Sequence, residues 1–132
     1  MRKILILSSI LFVIYSCQKI NDAPIINSLI ISNNNIQKEK GAMLEFMYEF
    51  SDDTGLNQFR VSILDNFVDA RLASAPWNYE MDYDLSGLSL VDTMQINLPY
   101  PDLEPGRYEL TVTLQDIDSE ETAQKKSFYI IE

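Results

Sequence analysis

Between Met43 and Leu64 apolar and polar side chains alternate on either side of a short acidic break. Leu44, Phe46, Tyr48 and Phe50 share one parity; Glu45, Met47 and Glu49 hold the other. After Ser51-Asp52-Asp53-Thr54-Gly55 the alternation resumes, with Phe59, Val61 and Ile63 set against Gln58, Arg60 and Ser62. A period of two belongs to a strand with one covered face, because successive side chains leave opposite sides of the pleated backbone. The stretch predicts two strands joined as a hairpin by a tight acidic turn. Gly55 supplies there a backbone conformation that residues with a Cβ avoid. Each strand hides one face, so a second sheet has to cover them.

The same alternation recurs at short intervals. Ala23–Ser32 forms a first strand, with Pro24 at its start, where a missing N–H does little harm. Asn33-Asn34-Asn35 and Gln37–Gly41 read as a polar connection. From Asp65 to Ser89 the periodicity dissolves, except that Trp77, Tyr79, Met81 and Tyr83 alternate with Asn78, Glu80, Asp82 and Asp84, as a short or edge strand would. Met94, Ile96 and Leu98 alternate with Thr93, Gln95 and Asn97 until Pro99 and Pro101 end the run. The turn signal Pro105-Gly106 opens the next strand, in which Tyr108, Leu110, Val112 and Leu114 point one way. Gln115–Glu121 is a second acidic turn, and Lys126–Ile131 closes the chain as a strand. About seven strands at this spacing, with no amphipathic helix among them, predict an all-β fold of the immunoglobulin-like sandwich type.

The first seventeen residues follow a different rule. Arg2 and Lys3 precede an apolar run, Ile4–Tyr15, that is too short to span a bilayer and is closed by the small Ser16. The segment ends Ile14-Tyr15-Ser16-Cys17, which resembles the lipobox of bacterial lipoproteins. That resemblance implies that Cys17 becomes the first mature residue and carries acyl chains, palmitate among them. Several acyl chains together anchor a protein stably. Gln18 in place of an aspartate implies the outer membrane, without deciding between its periplasmic and cell-surface faces. The alternative is an ordinary secretory signal with a coincidental cysteine. The expected organisation is a signal peptide over 1–16, a lipidated cysteine and tether over 17–22, and a sandwich over 23–132.

Charge and residue inventory narrow the chemistry. The net charge is −10, and loss of Arg2 and Lys3 takes it to −12. Such a surface repels phosphate backbones, which argues against nucleic acid as a partner. The chain has one cysteine and no histidine, so no internal disulfide forms and the usual zinc, copper and iron ligand sets are missing. A hard cation bound by oxygen is the metal such a chain could hold. No nucleophile–base pair and no glycine-rich phosphate loop stand out, so an enzyme is not expected.

The runs FSDDTGLNQFRVSI, Asn66-Phe67, Trp77, Pro105-Gly106-x-Tyr108 and LQDIDSEE, in this order and spacing, resemble a bacterial lipoprotein family catalogued as domain of unknown function 4625. The resemblance implies an immunoglobulin-like architecture over roughly Asp22 to Glu132. Members of that family carry histidines that this chain lacks, so any metal role they serve does not carry over. Pro105-Gly106-Arg107-Tyr108 also resembles the tyrosine corner of sandwich domains, which gives Tyr108 a structural role.

Two groups of residues are candidate sites. In a sandwich of this type the loop after the second strand lies beside the loop between the last two, at the pole where the first strand begins. Asp52, Asp53, Asp116 and Asp118 would then share one end and could bind calcium through carboxylate and carbonyl oxygens. Equally, aspartates make good turn formers by accepting from backbone N–H groups. Trp77, Tyr79 and Tyr83 could stack on a sugar ring or anchor a protein partner if exposed, or plug the core if buried. The expected function is a lipid-anchored, non-enzymatic binding or accessory module presenting its loops away from the tether. The alternatives are a calcium-stabilised structural module and a glycan-binding protein.

Overall fold

The computed structural model describes residues 21–66 and 77–132. Among them run eight strands: β1 (Ile25–Ile31), β2 (Asn35–Gln37), β3 (Met43–Ser51), β4 (Leu56–Asp65), β5 (Tyr79–Asp84), β6 (Ser89–Asn97), β7 (Gly106–Asp116) and β8 (Glu121–Ile131). A three-stranded sheet in the order β1-β3-β6 packs on a five-stranded sheet in the order β2-β8-β7-β4-β5. The fold is all-β and immunoglobulin-like, as the alternation predicts.

Three expectations need correction. The stretch Met43–Leu64 is not a hairpin, because β3 pairs with β1 and β6 while β4 pairs with β5 and β7. The acidic break carries the chain from one sheet to the other. Side by side, the two apolar rows would both still need cover; in opposite sheets they cover each other. Phe59 accordingly packs against Tyr48 at 5.2 Å and Phe50 at 5.3 Å between ring centres. The polar connection after β1 contains an extra strand, β2, whose inward residue Ile36 is buried and whose backbone runs parallel to β8. Finally, β8 begins at Glu121, earlier than its apolar residues suggest, because it follows β7 residue by residue from Gln115 to Gly106.

The core lies between the sheets. Its fully buried side chains include Leu44, Phe46 and Phe50 of β3, Val61 and Ile63 of β4, Leu110, Val112 and Leu114 of β7, and Phe128 of β8. This buried cluster, running from Leu29 to Ile130, is a closed two-layer core of the kind that folds as one unit. At one end Tyr108 donates its hydroxyl to the Glu104 carbonyl at 2.6 Å, which makes it the tyrosine corner that the sequence resembles. The sheets are unequal in width, and that matters for function. Tyr79, Met81 and Tyr83 of β5 stand in register with the buried Ile63, Val61 and Phe59 of β4, on the row that faces the core. Yet Met81 is 48 % exposed and both tyrosines are half-buried. The outermost strand of the wide sheet reaches past the cover that the narrow sheet provides.

Candidate functional site

The two acidic breaks do meet at one pole, held by direct bonds. Ile117 donates its N–H to the Gly55 carbonyl at 2.9 Å, joining the β7–β8 loop to the β3–β4 loop. Gly55 has φ of +144°, and a Cβ there would press on the Ile117 side chain at 3.4 Å, so glycine suits both the backbone and the contact. Asn21 bridges the same loops: its amide donates to Asp116 Oδ2 at 2.8 Å, and its oxygen accepts from the Thr54 hydroxyl at 3.2 Å. The segment leading into β1 is thereby fastened to this pole.

The buried carboxylates here organise the loops themselves. Asp52, 8 % exposed, accepts at Oδ2 from the Thr54 N–H (2.9 Å), the Thr54 hydroxyl (2.7 Å) and the Gly55 N–H (2.7 Å). Burial pushes its carboxyl up, but these donors, with the Asp53 N–H, outweigh burial and hold it below the usual carboxylate value. Asp116, fully buried, accepts at Oδ1 from the N–H groups of Asp118 and Glu120, both at 2.9 Å. The side chains of Asp53 and Asp118 are exposed. Among the described residues no group of three or more acidic side chains could hold a metal ion. The geometry is that of turn chemistry, one of the two expectations for these residues.

The three aromatics separate. Trp77 is 5 % exposed, and its indole meets Tyr108 and Phe128 edge-on at 6.3 and 6.1 Å, on the core side of the tyrosine corner. No ring face is left for a sugar. Tyr83 stacks on Phe59 at 5.0 Å, and its hydroxyl lies 2.8 Å from that of Tyr79. Burial, then the bond and charge of Tyr83, push the Tyr79 phenol up to about 12. Cys17 and the other residues of the expected signal segment lie outside the described residues.

Where β5 overhangs, a cleft of about 500 Å³ opens between the edges of the two sheets. Tyr48, Phe59, Tyr83, Leu90, Asp92 and Met94 of the core-facing rows line it, with Asp84, Leu85, Thr93 and Gln95 at its margin. Asp92 stands opposite Tyr48 in the β3–β6 ladder, in the row that also holds Leu90 and Met94. Burial, then Asp92 and Tyr83, push the Tyr48 phenol up.

A sequence profile of the family described as Domain of unknown function (DUF4625) matches residues 15–131. The chain belongs to that family. No curated protein matches this DUF4625 domain. Among solved structures it is similar to wild-type OgpA from Akkermansia muciniphila, with a TM-score of 0.59 and 12 % identity over 83 % of this chain and 29 % of that one. It is also similar to a Niemann-Pick type C2 protein from Japanese carpenter ant, with a TM-score of 0.56 and 9 % identity over 84 % and 95 % of the two chains. An immunoglobulin-like protein from Pseudomonas aeruginosa aligns with a TM-score of 0.52 and 13 % identity over 85 % and 99 %. The DUF4625 chain thus spans less than a third of OgpA and nearly all of the other two. At such identities the likeness shows the fold alone. Alternation alone does not reveal the cleft of this DUF4625 domain. Its one visible signal is Asp92, a charge on the parity of Leu90, Met94 and Ile96.

Proposed function

We propose that this DUF4625 domain is a lipid-anchored, non-enzymatic binding module of the bacterial outer membrane, held by Cys17 and offering the cleft between β5 and β6 to its ligand. The observation that carries the binding half is the overhang of β5, which leaves aromatic side chains of the core row partly open beside a polar lip. Ligand sites combine apolar surface with a few polar groups, and this open flank offers both. The anchoring half rests on the single cysteine standing at the end of the lipobox-like run. A non-enzymatic role is supported by the absence of histidine and by the commitment of that one cysteine to lipid.

The latch at Asn21 bears on orientation. Asn21 is four positions beyond Cys17, and extended chain of that length reaches at most about 14 Å. The acidic pole therefore faces the bilayer, the opposite pole faces away, and the cleft opens on the flank. Cells producing the whole chain should carry it in their membranes and label it with palmitate. Cys17→Ser should abolish the label and release the protein to the soluble fraction. Retention of the serine variant in membranes would overturn the anchoring.

A further inference from the structure

The pole that holds Asn21 is stitched together by backbone bonds. Asp52 and Leu56 donate their N–H groups to the carbonyls of Leu88 and Gly87 at 2.9 and 2.8 Å, and Ile117 donates to Gly55 at 2.9 Å. The β5–β6 loop and the β7–β8 loop are thus both bonded to the β3–β4 loop, and the three present one surface. Each of the two outer loops carries an apolar side chain, Leu88 on one and Ile117 on the other, both more than half exposed. Ile25, equally exposed, stands at the same pole, opposite Ser51 where the β1–β3 ladder begins. A single exposed apolar side chain is ordinary. What sets these apart is their place. The chain is fastened to this pole at Asn21, and Cys17 lies within about 14 Å of that point.

We propose that this pole lies on the bilayer, and that Leu88 and Ile117, with Ile25 beside them, enter the interface of a zwitterionic phospholipid leaflet. This inference rests on the anchoring of Cys17 proposed above. The occupant is lipid because a tether of about 14 Å leaves no room between pole and bilayer for a folded domain, which is about 30 Å across. The anchor already holds the domain at the surface, so a small gain from covering apolar side chains is enough to fix its orientation. The exposed carboxylates of Asp53, Asp118 and Glu120 share the pole and set the depth. They stay in the hydrated headgroup layer, while the apolar side chains reach the boundary with the acyl chains. The rival is a domain that swings freely on its tether, with the three side chains as ordinary surface residues. That reading gives no reason for apolar side chains on both loops that flank the fastened one.

The test uses the whole chain, purified from the membranes of producing cells and reconstituted into phosphatidylcholine vesicles. Cys17 is the one cysteine, and lipid occupies its thiol, so a nitroxide attaches only at a cysteine introduced for the purpose. Leu88→Cys and Ile117→Cys place the label on the two loops; Lys40→Cys and Tyr100→Cys place it on exposed sites at the opposite pole as references. On vesicles the first two labels should collide less with a water-soluble nickel complex, and more with oxygen, which concentrates in the bilayer, than the references do. The label is itself apolar, so a second measurement leaves both loops unlabelled. A label at Ile25→Cys should show the same protection, and Leu88→Asp together with Ile117→Asp should return it to the reference values. If the protein floats with the vesicles while the loop labels collide as the references do, the docking is overturned and the anchor stands. An Ile25→Cys label unmoved by the two aspartates would overturn Leu88 and Ile117 as the contact. Protein that fails to float with the vesicles would overturn the anchor, and the docking with it.

Discussion

Asp52 and Asp116 are buried carboxyl groups with no cationic partner among the described residues, and each accepts from donors of its own loop. A carboxylate can replace water this way because backbone N–H groups at a turn converge on one point and have no other acceptor. Removing the acceptor should therefore cost more than removing a contact. Asp52→Ala strands the N–H groups of Thr54 and Gly55 and should destabilise the domain by about 2 kcal/mol or more, read from the denaturant midpoint. Asp52→Asn keeps an acceptor oxygen and should lose less. The folded state holds this carboxyl below its ordinary value of 3.8. Its contribution is thus complete above that value and disappears as pH falls through the lower folded one. Acid unfolding of the native protein should show this loss, and Asp52→Asn should not. At this scale part was legible: the Asp-rich breaks read either as calcium ligands or as turn formers, and the pattern alone does not choose between them, while Gly55 reads as a glycine position. That Asn21 would reach both loops was not, since nothing local in Ile20-Asn21-Asp22 distinguishes a latch from a tether.

The strands show where alternation informs and where it is silent. Periodicity reports that a face is covered and says nothing about by what. So β3 and β4 were visible as strands with the right inward residues, while their placement in opposite sheets was not. β2 escaped notice because three residues offer one apolar position, and a single Ile36 makes no pattern. β5 is the instructive case: its aromatics share a parity, yet they differ in burial because the narrow sheet ends before the wide one. Trp77 precedes the strand, and its contacts with Tyr108 and Phe128 tie the start of β5 to the core. Its fluorescence should be blue-shifted and resistant to aqueous quenchers, and Trp77→Ala should cost about 3–5 kcal/mol in the same denaturant assay. Farther along the strand, the Tyr79–Tyr83 pair links side chains that share the core-facing row. Because the Tyr79 phenol is raised to about 12, the folded form keeps its proton where the unfolded chain loses it. Stability from this pair is complete below 10 and should fall as pH rises toward 12, a decline that Tyr79→Phe should remove.

At the level of the whole molecule, the sandwich sends its two ends to opposite poles. Asn21 is fastened where β3 meets β4, while β8 runs from that pole to finish beside β2 at the other. A force applied between Asn21 and Ile131 thus pulls β1 and β8 along their own axes in opposite directions. β1 slides against β3 over its full ladder, and β8 slides against both β7 and β2. Along β2 the grip includes the bond from the Tyr129 N–H to the Asn34 carbonyl and that from the Lys38 N–H to the Ile131 carbonyl. Bonds arranged across the line of pull share the tension and must break together, whereas a hairpin tugged open from one end gives way one bond at a time. The short parallel strand, with one residue in the core, thus adds a second set of bonds across that line, and they would have to shear together with those of β7 before β8 could slide free.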